Sequence, residues 1–217
     1  MSNLNSDNPL LLPVSLDSET IRKTIITNFI SMLIYRNLLD KNKWDKKYIE
    51  EYCKKKNDNN IYKFSVDFQN NLRIEDDINK KYIYLIIMQE KINSLNSSPI
   101  ITDFINTYKN NYKFLVFLGI SDKAKLALNT LKNTEGFTEN FFMIDLMSHV
   151  CSPDYEILNN DEILELKKSY EIDNRKINKI LHNDPASLYL GLKKGDVVRI
   201  IRDSEQSGRS IGYRRVK

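Results

Sequence analysis

The chain has 217 residues, of which 33 are Lys or Arg and 29 are Asp or Glu, so its formal net charge is +4. A chain of this length holds one large domain or two small ones, with enough apolar surface for a core. We expect neither a membrane span nor a signal peptide, and the small net charge does not suit a surface that wraps DNA.

Two helices are predicted near the start of the chain, after a polar, Asn-rich terminus over residues 1–12. Asp17 or Ser18 can cap the first helix, because a short polar side chain accepts hydrogen bonds from the free amide groups of the first turn. Its apolar residues recur every four positions, as a buried helix face requires: Ile21, Ile25, Phe29 and Leu33. Asp45 opens the second helix, which continues through Tyr52.

Three strands and a turn are predicted in the next part of the chain. Residues 62–68 alternate apolar and polar side chains, which is typical of a half-buried strand. Asn70 and Asn71 form a turn. Residues 82–88 and 112–118 are continuous apolar runs, which predict buried strands at the centre of a sheet.

The remaining elements before the tail are less regular. Residues 102–108 fit no single period, and a helix is one interpretation. Ser121 caps a helix that continues through Leu131, and residues 137–146 return as a strand. Pro153 and the polar stretch around residues 159–160 mark a boundary, so helices and strands alternate up to that point in one mixed sheet.

A short helix opens the last part of the chain. Asp184 can cap it, and Pro185 suits its first position, where no amide hydrogen is needed. Gly191 suits the left-handed residue that follows the last turn.

A turn and a hairpin complete the tail. Residues 193–196 form a turn in which Gly195 takes a positive φ. Residues 197–201 predict a mostly buried strand, Gly208 ends a polar loop, and residues 210–216 return as a second strand.

Positive charge is concentrated in this tail. Residues 185–217 contain 8 Lys or Arg against 3 Asp or Glu, a net of +5, so the preceding residues sum to −1 of the total +4. Four of the chain's six glycines also lie there, which indicates a compact module with a cationic rim.

The tail resembles a known family in motifs of matching order and spacing. They are Asp-Pro-Ala (184–186), Tyr-Leu-Gly-Leu-Lys-Lys-Gly (189–195), Val-Val-Arg-Ile-Ile-Arg (197–202) and Ser-Gly-Arg (207–209). A run-in over residues 158–170, with Asp161 and Glu162 opening a helix, matches as well. The sequence is similar to the C-terminal assembly module of the fifth subunit shared by the eukaryotic nuclear RNA polymerases, which has a counterpart in archaea. The resemblance is specific over residues 146–217. Before residue 146 it is weaker and rests only on the pattern of predicted helices and strands.

The resemblance implies an α/β (α+β) chain of two domains. Residues 1–145 would form an N-terminal mixed-sheet jaw domain with a restriction-endonuclease-like fold, and residues 146–217 a small C-terminal α/β polymerase-assembly domain. The implied role is a non-catalytic subunit of a multisubunit DNA-directed RNA polymerase, because the active site of this family belongs to two much larger chains.

The same resemblance implies the partners. They would be the largest polymerase subunit, the other subunits and downstream duplex DNA, with no membrane, no small-molecule substrate, no metal and no cofactor. A composition rich in Asn, Lys, Ile and Tyr is typical of an AT-rich genome and favours a large DNA virus or a protist as the source. We expect an intracellular protein, in the virion and host cytoplasm if viral and in the nucleus if cellular.

Basic side chains of the tail are the candidate docking residues. Guanidinium groups bind either phosphates or the carboxylates and carbonyls of a partner. The resemblance favours docking on the largest subunit, and the candidates are Arg199, Arg202, Arg209, Arg214 and Arg215.

The candidate DNA contact is the segment 119–125, which follows a strand and opens a helix. It resembles in position a Thr-Pro-Ser-Ala-type turn of the family that faces downstream DNA, although the proline is lacking here. Ser121, Lys123 and Lys125 are the candidates, because a helix start presents free amide groups and the lysines add positive charge. Asp122 works against a phosphate, and an ordinary solvated helix start remains an alternative.

Two further functions are considered. A stand-alone DNA-binding regulator could reuse the module. A metal-dependent nuclease would need two acidic groups and a lysine, which Asp67 or Asp77 followed by Gln89, Glu90 and Lys91 imitate. Gln89 is a weaker, neutral ligand, so strand-end polar residues without a metal are the preferred interpretation.

Cysteine and histidine give no zinc spacing, since only two of each are present. Cys53 and Cys151 are predicted to be reduced, buried thiols. His149 and His182 are predicted to be packing or surface residues.

Overall fold

A computed structural model of the chain describes residues 17–54, 60–66, 82–95, 98–149, 151–171, 176–204, 206 and 208–217. Two four-stranded sheets follow one another along the chain. The first sheet contains β1 (Ile61–Ser65), β2 (Tyr82–Ile92), β3 (Tyr112–Ile120) and β4 (Thr134–Thr138), side by side in that order. β1 runs antiparallel to β2, while β2, β3 and β4 are parallel.

Among the described residues, four α-helices accompany the first sheet: α1 (Ser18–Tyr35), α2 (Lys46–Lys54), α3 (Pro99–Thr107) and α4 (Asp122–Asn129). Alternate side chains of β2 and β3 join two different cores, because successive residues of a strand point to opposite faces. One core lies under α1, where the Phe29 ring contacts Phe64, Phe114 and Phe142 at 5.4, 5.0 and 5.8 Å between ring centroids. The other is covered by α3 and α4, so the sheet is sandwiched between helices.

The second sheet and its helices form the tail. In chain order they are β5 (Asp154–Ile157), α5 (Asn160–Tyr170), β6 (Asn178–Ile180), α6 (Pro185–Leu190), β7 (Val197–Ser204) and β8 (Gly208–Val216), with sheet order β5-β7-β8-β6. β7 is antiparallel to β5 and β8, and β6 is parallel to β8. Both sheets are mixed, which confirms the predicted α/β class.

The predicted helix caps are confirmed. Asp17 accepts a hydrogen bond from the Thr20 amide, and Asp45 accepts one from the Tyr48 amide. In the tail, the Asp184 carboxylate accepts from the Ala186 amide at 2.9 Å. Gly191 has a φ of 63°, the left-handed conformation predicted for it.

Three expectations from the sequence need correction or sharpening. The predicted strand 137–146 is wrong: β4 starts at Thr134 and ends at Thr138, and Glu139–Phe142 forms a 3-10 helix. This turn brings the Phe142 ring beside Phe29, where the Asn28 side chain donates to the Phe142 carbonyl at 2.7 Å. The ambiguous stretch is helical, as α3, and α4 ends at Asn129 rather than Leu131.

Some predictions fall on residues that the structure does not describe. The polar terminus over residues 1–12, the turn at Asn70 and Asn71, and the end of the predicted strand at Phe68 all lie outside the described residues.

One arginine joins the two sheets. The Arg36 side chain, 8% exposed, stands just after α1 and donates from Nε to the Tyr189 carbonyl at 2.8 Å and from one terminal nitrogen to the Leu188 carbonyl at 2.7 Å. Its two terminal nitrogens also contact the two carboxylate oxygens of Glu135 in β4, both at 2.9 Å. The carbonyl groups at the end of a helix lack intrahelical partners, so the Arg36 guanidinium supplies hydrogen-bond donors to carbonyls in the last turn of α6.

Tyr189 reinforces this junction. Its ring is buried within the core under α1 and lies against Tyr35, at 5.9 Å between centroids. Its hydroxyl donates to the Asp145 carboxylate at 3.2 Å. Burial and the nearby Asp145 carboxylate both raise the pKa of Tyr189. A tail residue therefore completes the core of the first sheet.

Replacing Gly191 by valine is expected to lower the free energy of unfolding by at least about 1 kcal/mol, because β-branched residues are strained at positive φ. The new Cβ would also lie 3.0 Å from the Arg36 Cζ. The matched control is Gly212→Val, since no atom lies within 4 Å of the Cβ position there. Urea denaturation measures both. Equal losses in the two variants would contradict a special role of Gly191.

Replacing Arg36 by methionine is expected to cost about 2–4 kcal/mol of unfolding free energy, because the Glu135 carboxylate and the Tyr189 carbonyl lose the buried charged donor that joins them. The Leu188 carbonyl keeps its hydrogen bond from the Gly191 amide. The control is Lys23→Met, which breaks the Glu19–Lys23 pair, whose side chains are 62% and 45% exposed. That change should stay within about 0.5 kcal/mol, as exposed ion pairs contribute little. Similar melting temperatures for both variants would show that the Arg36 contacts contribute little.

Candidate docking and nucleic-acid surfaces

The five tail arginines do not form one patch. β7 and β8 pair from Val197 opposite Arg215 to Ser204 opposite Gly208. Side chains alternate between the two faces of a sheet, so this register divides the arginines into two groups. One face carries Arg199, Arg209 and Arg215, and the other carries Arg202 and Arg214.

Arg199 already has partners within the chain. Its guanidinium donates to the Glu156 carboxylate at 2.8 Å and lies 5.9 Å from the centre of the Tyr213 ring. The hydrogen bonds with Glu156 and Tyr213 raise the pKa of Arg199. Arg199 therefore stabilises the pairing of β5 with the hairpin, and a partner protein would have to share it with Glu156.

Arg202, Arg209 and Arg214 are exposed, whereas Arg215 is half-buried. Arg202 and Arg214 lie near Tyr155 of β5: burial raises the pKa of Tyr155, and these two guanidinium groups oppose that rise. The three exposed arginines are the side chains best placed to contact another molecule.

Ser121 is held in place by the sheet. Its hydroxyl donates to the Asn93 carbonyl at 2.8 Å and accepts from the Ala124 amide at 3.3 Å. The Ser121 amide donates to the Ile92 carbonyl at 3.0 Å. The serine thus anchors the start of α4 to the end of β2, and its hydroxyl is engaged on both sides. The predicted cap is confirmed, while a phosphate contact would fall to its neighbours.

Lys123 is exposed and Lys125 half-buried in the first turn of α4, with the exposed Asp122 beside them. A helix start attracts anions through its free amide groups and its dipole. Asp122 cancels part of this charge, so the surface suits a weak phosphate contact and not a tight anion site.

The fold does not bring the nuclease-like residues together into a metal site among the described residues. Gln89, Glu90 and Lys91 are exposed on β2 at a break in its register with β3, and Asp67 and Asp77 lie outside the described residues. Among the described residues there is no group of three or more His, Cys, Asp or Glu side chains placed to bind a metal ion.

Both cysteines are free within the described residues. Cys53 is buried as predicted, and burial raises the pKa of its thiol. Cys151 is exposed, so the prediction of a second buried thiol is wrong. His149 is an exposed residue whose Nδ1 accepts from the Cys151 amide at 3.2 Å, and His182 is half-buried. Within the described part of the chain, none of the helices has the length and apolar character that a membrane crossing requires.

The sequence analysis did not identify two buried basic side chains that each donate several hydrogen bonds, Arg36 and Lys113. Arg36 falls just after a helix with no motif around it. Lys113 is 2% exposed, and its ammonium donates to the carbonyls of Tyr108, Lys109 and Asn111 at 3.0, 3.2 and 3.0 Å. Burial lowers the pKa of Lys113. Its position at the start of an apolar strand was the available signal, since a lone lysine there must find acceptors.

Comparisons with known proteins agree with this picture. Residues 144–216 match the family model described as RNA polymerase Rpb5, C-terminal domain. The chain is 28% identical over 193 residues to "DNA-directed RNA polymerase subunit 5" of Acanthamoeba polyphaga mimivirus, a match that covers 88% of this chain and 90% of that protein.

Cellular relatives match over shorter lengths. The chain is 32% identical over 105 residues to "DNA-directed RNA polymerases I, II, and III subunit RPABC1" of Caenorhabditis elegans, covering 47% of this chain and 50% of that one. The corresponding protein of Dictyostelium discoideum is 38% identical over 80 residues, covering 37% and 41%. These matches confirm the resemblance to the shared fifth subunit and to a viral version of it.

Proposed function

We propose that this chain, a member of the RNA polymerase subunit 5 family, docks through its C-terminal module on the largest subunit of a multisubunit polymerase. Residues 146–217 would be the docking module, and the sheet before them would form part of the jaw near downstream duplex DNA. As in its family, the chain is a non-catalytic subunit. Transcription by such a polymerase would be its setting inside the cell or virion.

The observation that carries the docking proposal is the position of the family match. It covers residues 144–216, the part with the β7–β8 hairpin and the excess of positive charge. Arg202, Arg209 and Arg214 are exposed there. Exposed guanidinium groups suit the carboxylates of a partner, because they form charge-assisted hydrogen bonds in a planar geometry.

The junction at Arg36 supports a coupled role for the two sheets. Its contacts link α1 and β4 of the first sheet to α6 of the tail. A tail held on another subunit would therefore hold the first sheet at a fixed angle. This is what a jaw requires, since a loosely tethered domain cannot keep a surface beside DNA.

The DNA contact would be made by the start of α4. Lys123 is the exposed cation there, with Lys125 behind it. Such a weak phosphate contact would not recruit DNA to the chain by itself. Beside DNA that other subunits already hold, a weak contact adds to the total, because the second binding event is effectively intramolecular.

The docking proposal predicts that Arg202→Glu combined with Arg214→Glu weakens binding to the co-expressed largest subunit by at least about tenfold, because repulsion replaces attraction at the interface. The control is Lys46→Glu combined with Lys47→Glu, the same charge change at exposed lysines of α2. Quantitative pull-down measures both. Equal weakening by both variants would show that net charge, not the hairpin, governs binding.

The DNA proposal predicts that Lys123→Glu combined with Lys125→Glu lowers the salt concentration at which the elongating polymerase dissociates, with no effect on assembly. The effect should not depend on sequence, since phosphate contacts position the duplex without reading bases. The variant at Lys46 and Lys47 again serves as the control. Unchanged salt tolerance would remove α4 from the DNA path.

Two other outcomes would favour the alternatives. Sequence-specific, submicromolar DNA binding by the isolated chain at physiological salt would indicate a stand-alone regulator. Cleavage of DNA that requires Mg²⁺ and is lost in Lys91→Ala would indicate a nuclease.

A further inference from the structure

Among the described residues, the outer edge of β8 is unpaired along most of its length. β8 pairs with β7 from Gly208 to Arg215, but its other side pairs with β6 only from Arg214 to Val216. Among the residues that the structure describes, no strand pairs with the outer side of β8 between Gly208 and Tyr213. All of these residues are exposed except the half-buried Tyr213.

The hydrogen-bond pattern identifies which backbone groups face outward. The Val216 amide donates to the Asp196 carbonyl at 2.9 Å, on the β7 side, and the Lys217 amide donates to the Ile180 carbonyl at 2.9 Å, on the β6 side. Backbone groups of an antiparallel strand alternate between its two sides. The amide and carbonyl groups of Arg209, Ile211 and Tyr213 therefore point away from β7.

This edge lacks most of the devices that protect exposed strands. Free edges are usually blocked by proline, by inward-facing charge or by a covering segment, since unpaired backbone groups are a template for another strand. Here the middle of the edge carries Ile211, which is 56% exposed, and Gly212, beside which there is open space. An apolar side chain and a glycine leave room for a second backbone to approach.

We propose that an extended segment of the largest polymerase subunit, with acidic side chains on both of its faces, adds as a strand to the outer edge of β8. This inference rests on the proposed function and names how the docking takes place. The segment would satisfy the outward amide and carbonyl groups of Arg209 and Ile211 and the outward amide of Tyr213. Its side chains would lie beside those of β8 on both faces of the sheet.

The positive charge of the hairpin indicates that the added strand is acidic. The hairpin from Val197 to Val216 contains five arginines against Asp203 and Glu205, a net of +3. Arg209 and Arg214 lie on opposite faces of β8, so carboxylates on both faces of the added strand would meet a guanidinium. Complementary charge of this kind favours one partner over others.

Two other occupants fit less well. A second copy of the chain would bring two hairpins of the same charge together, which opposes pairing. A DNA backbone has no donor for the outward carbonyl groups of Arg209 and Ile211. A polypeptide in extended conformation supplies both donors and acceptors at the spacing of a strand.

Hydrogen exchange tests the inference with the full chain. Amide exchange is compared between the chain alone and its complex with the co-expressed largest subunit, at single-residue resolution. In the complex, the amides of Arg209, Ile211 and Tyr213 should exchange at least about tenfold more slowly, because exchange then requires release of the added strand. The amides of Ser210 and Gly212, which already face β7, should change less.

A variant pair adds a second test. Ile211→Pro removes an outward amide while leaving the β7 side of the ladder intact, whereas Ile211→Thr keeps the amide and removes the apolar side chain. Both should fold, as judged by circular dichroism. Proline should weaken binding to the largest subunit by at least about tenfold and threonine much less, because only proline removes a backbone hydrogen bond.

The outcomes separate this inference from the proposed function. Binding without slower exchange at Arg209, Ile211 and Tyr213 would overturn strand addition and leave docking intact. Absence of binding by the unchanged chain would overturn both. Slower exchange at these amides in the chain alone, rising with its concentration, would identify a second copy as the occupant. Slower exchange on adding a DNA duplex of about 20 base pairs, roughly two helical turns, would identify DNA instead.

Discussion

The arrangement of the two sheets depends on one buried guanidinium group. Arg36 is withdrawn from water, and a charge in that position is costly unless its donors are satisfied. Glu135 supplies a two-oxygen partner at 2.9 Å, and the carbonyls of Leu188 and Tyr189 supply the rest. These acceptors come from β4 of the first sheet and from α6 of the tail, so all the donors of the arginine are satisfied only when the tail packs against the first sheet.

This constraint explains features that look unrelated along the chain. Gly191 has no side chain where the Arg36 guanidinium passes, and its positive φ ends α6 so that the last carbonyls face that guanidinium. Tyr189 fills the core under α1 from the tail side. The tail is therefore both a docking module in the proposal and a structural part of the sheet it would carry. Without the Arg36 and Tyr189 contacts, the tail could still dock on another subunit, but it would no longer hold the first sheet in position. Both proposed surfaces, for docking and for DNA, would remain.

Local signals explain how much of this could be predicted. The caps at Asp17 and Asp184, the left-handed Gly191 and the hairpin depend on neighbouring residues, so the sequence determined them. The Arg36 contacts join residues 99 and 153 positions apart, and no local pattern records such a pairing. The same limit applies to the strand predicted over residues 137–146, where packing of Phe142 against Phe29 selected a 3-10 helix. The candidate docking arginines were found from the sequence, but only the strand register showed that they occupy two faces of the sheet.

Native mass spectrometry of the polymerase, purified through a tag on this chain, would show whether the chain is a stoichiometric subunit docked on the largest subunit. We expect one copy of this chain per copy of the largest subunit in the intact assembly. On gentle dissociation, the two should also be recovered together as a binary complex, because the docking surface is proposed to lie between them. Recovery of the chain free of the large subunits, or bound only to DNA, would contradict the proposed subunit role.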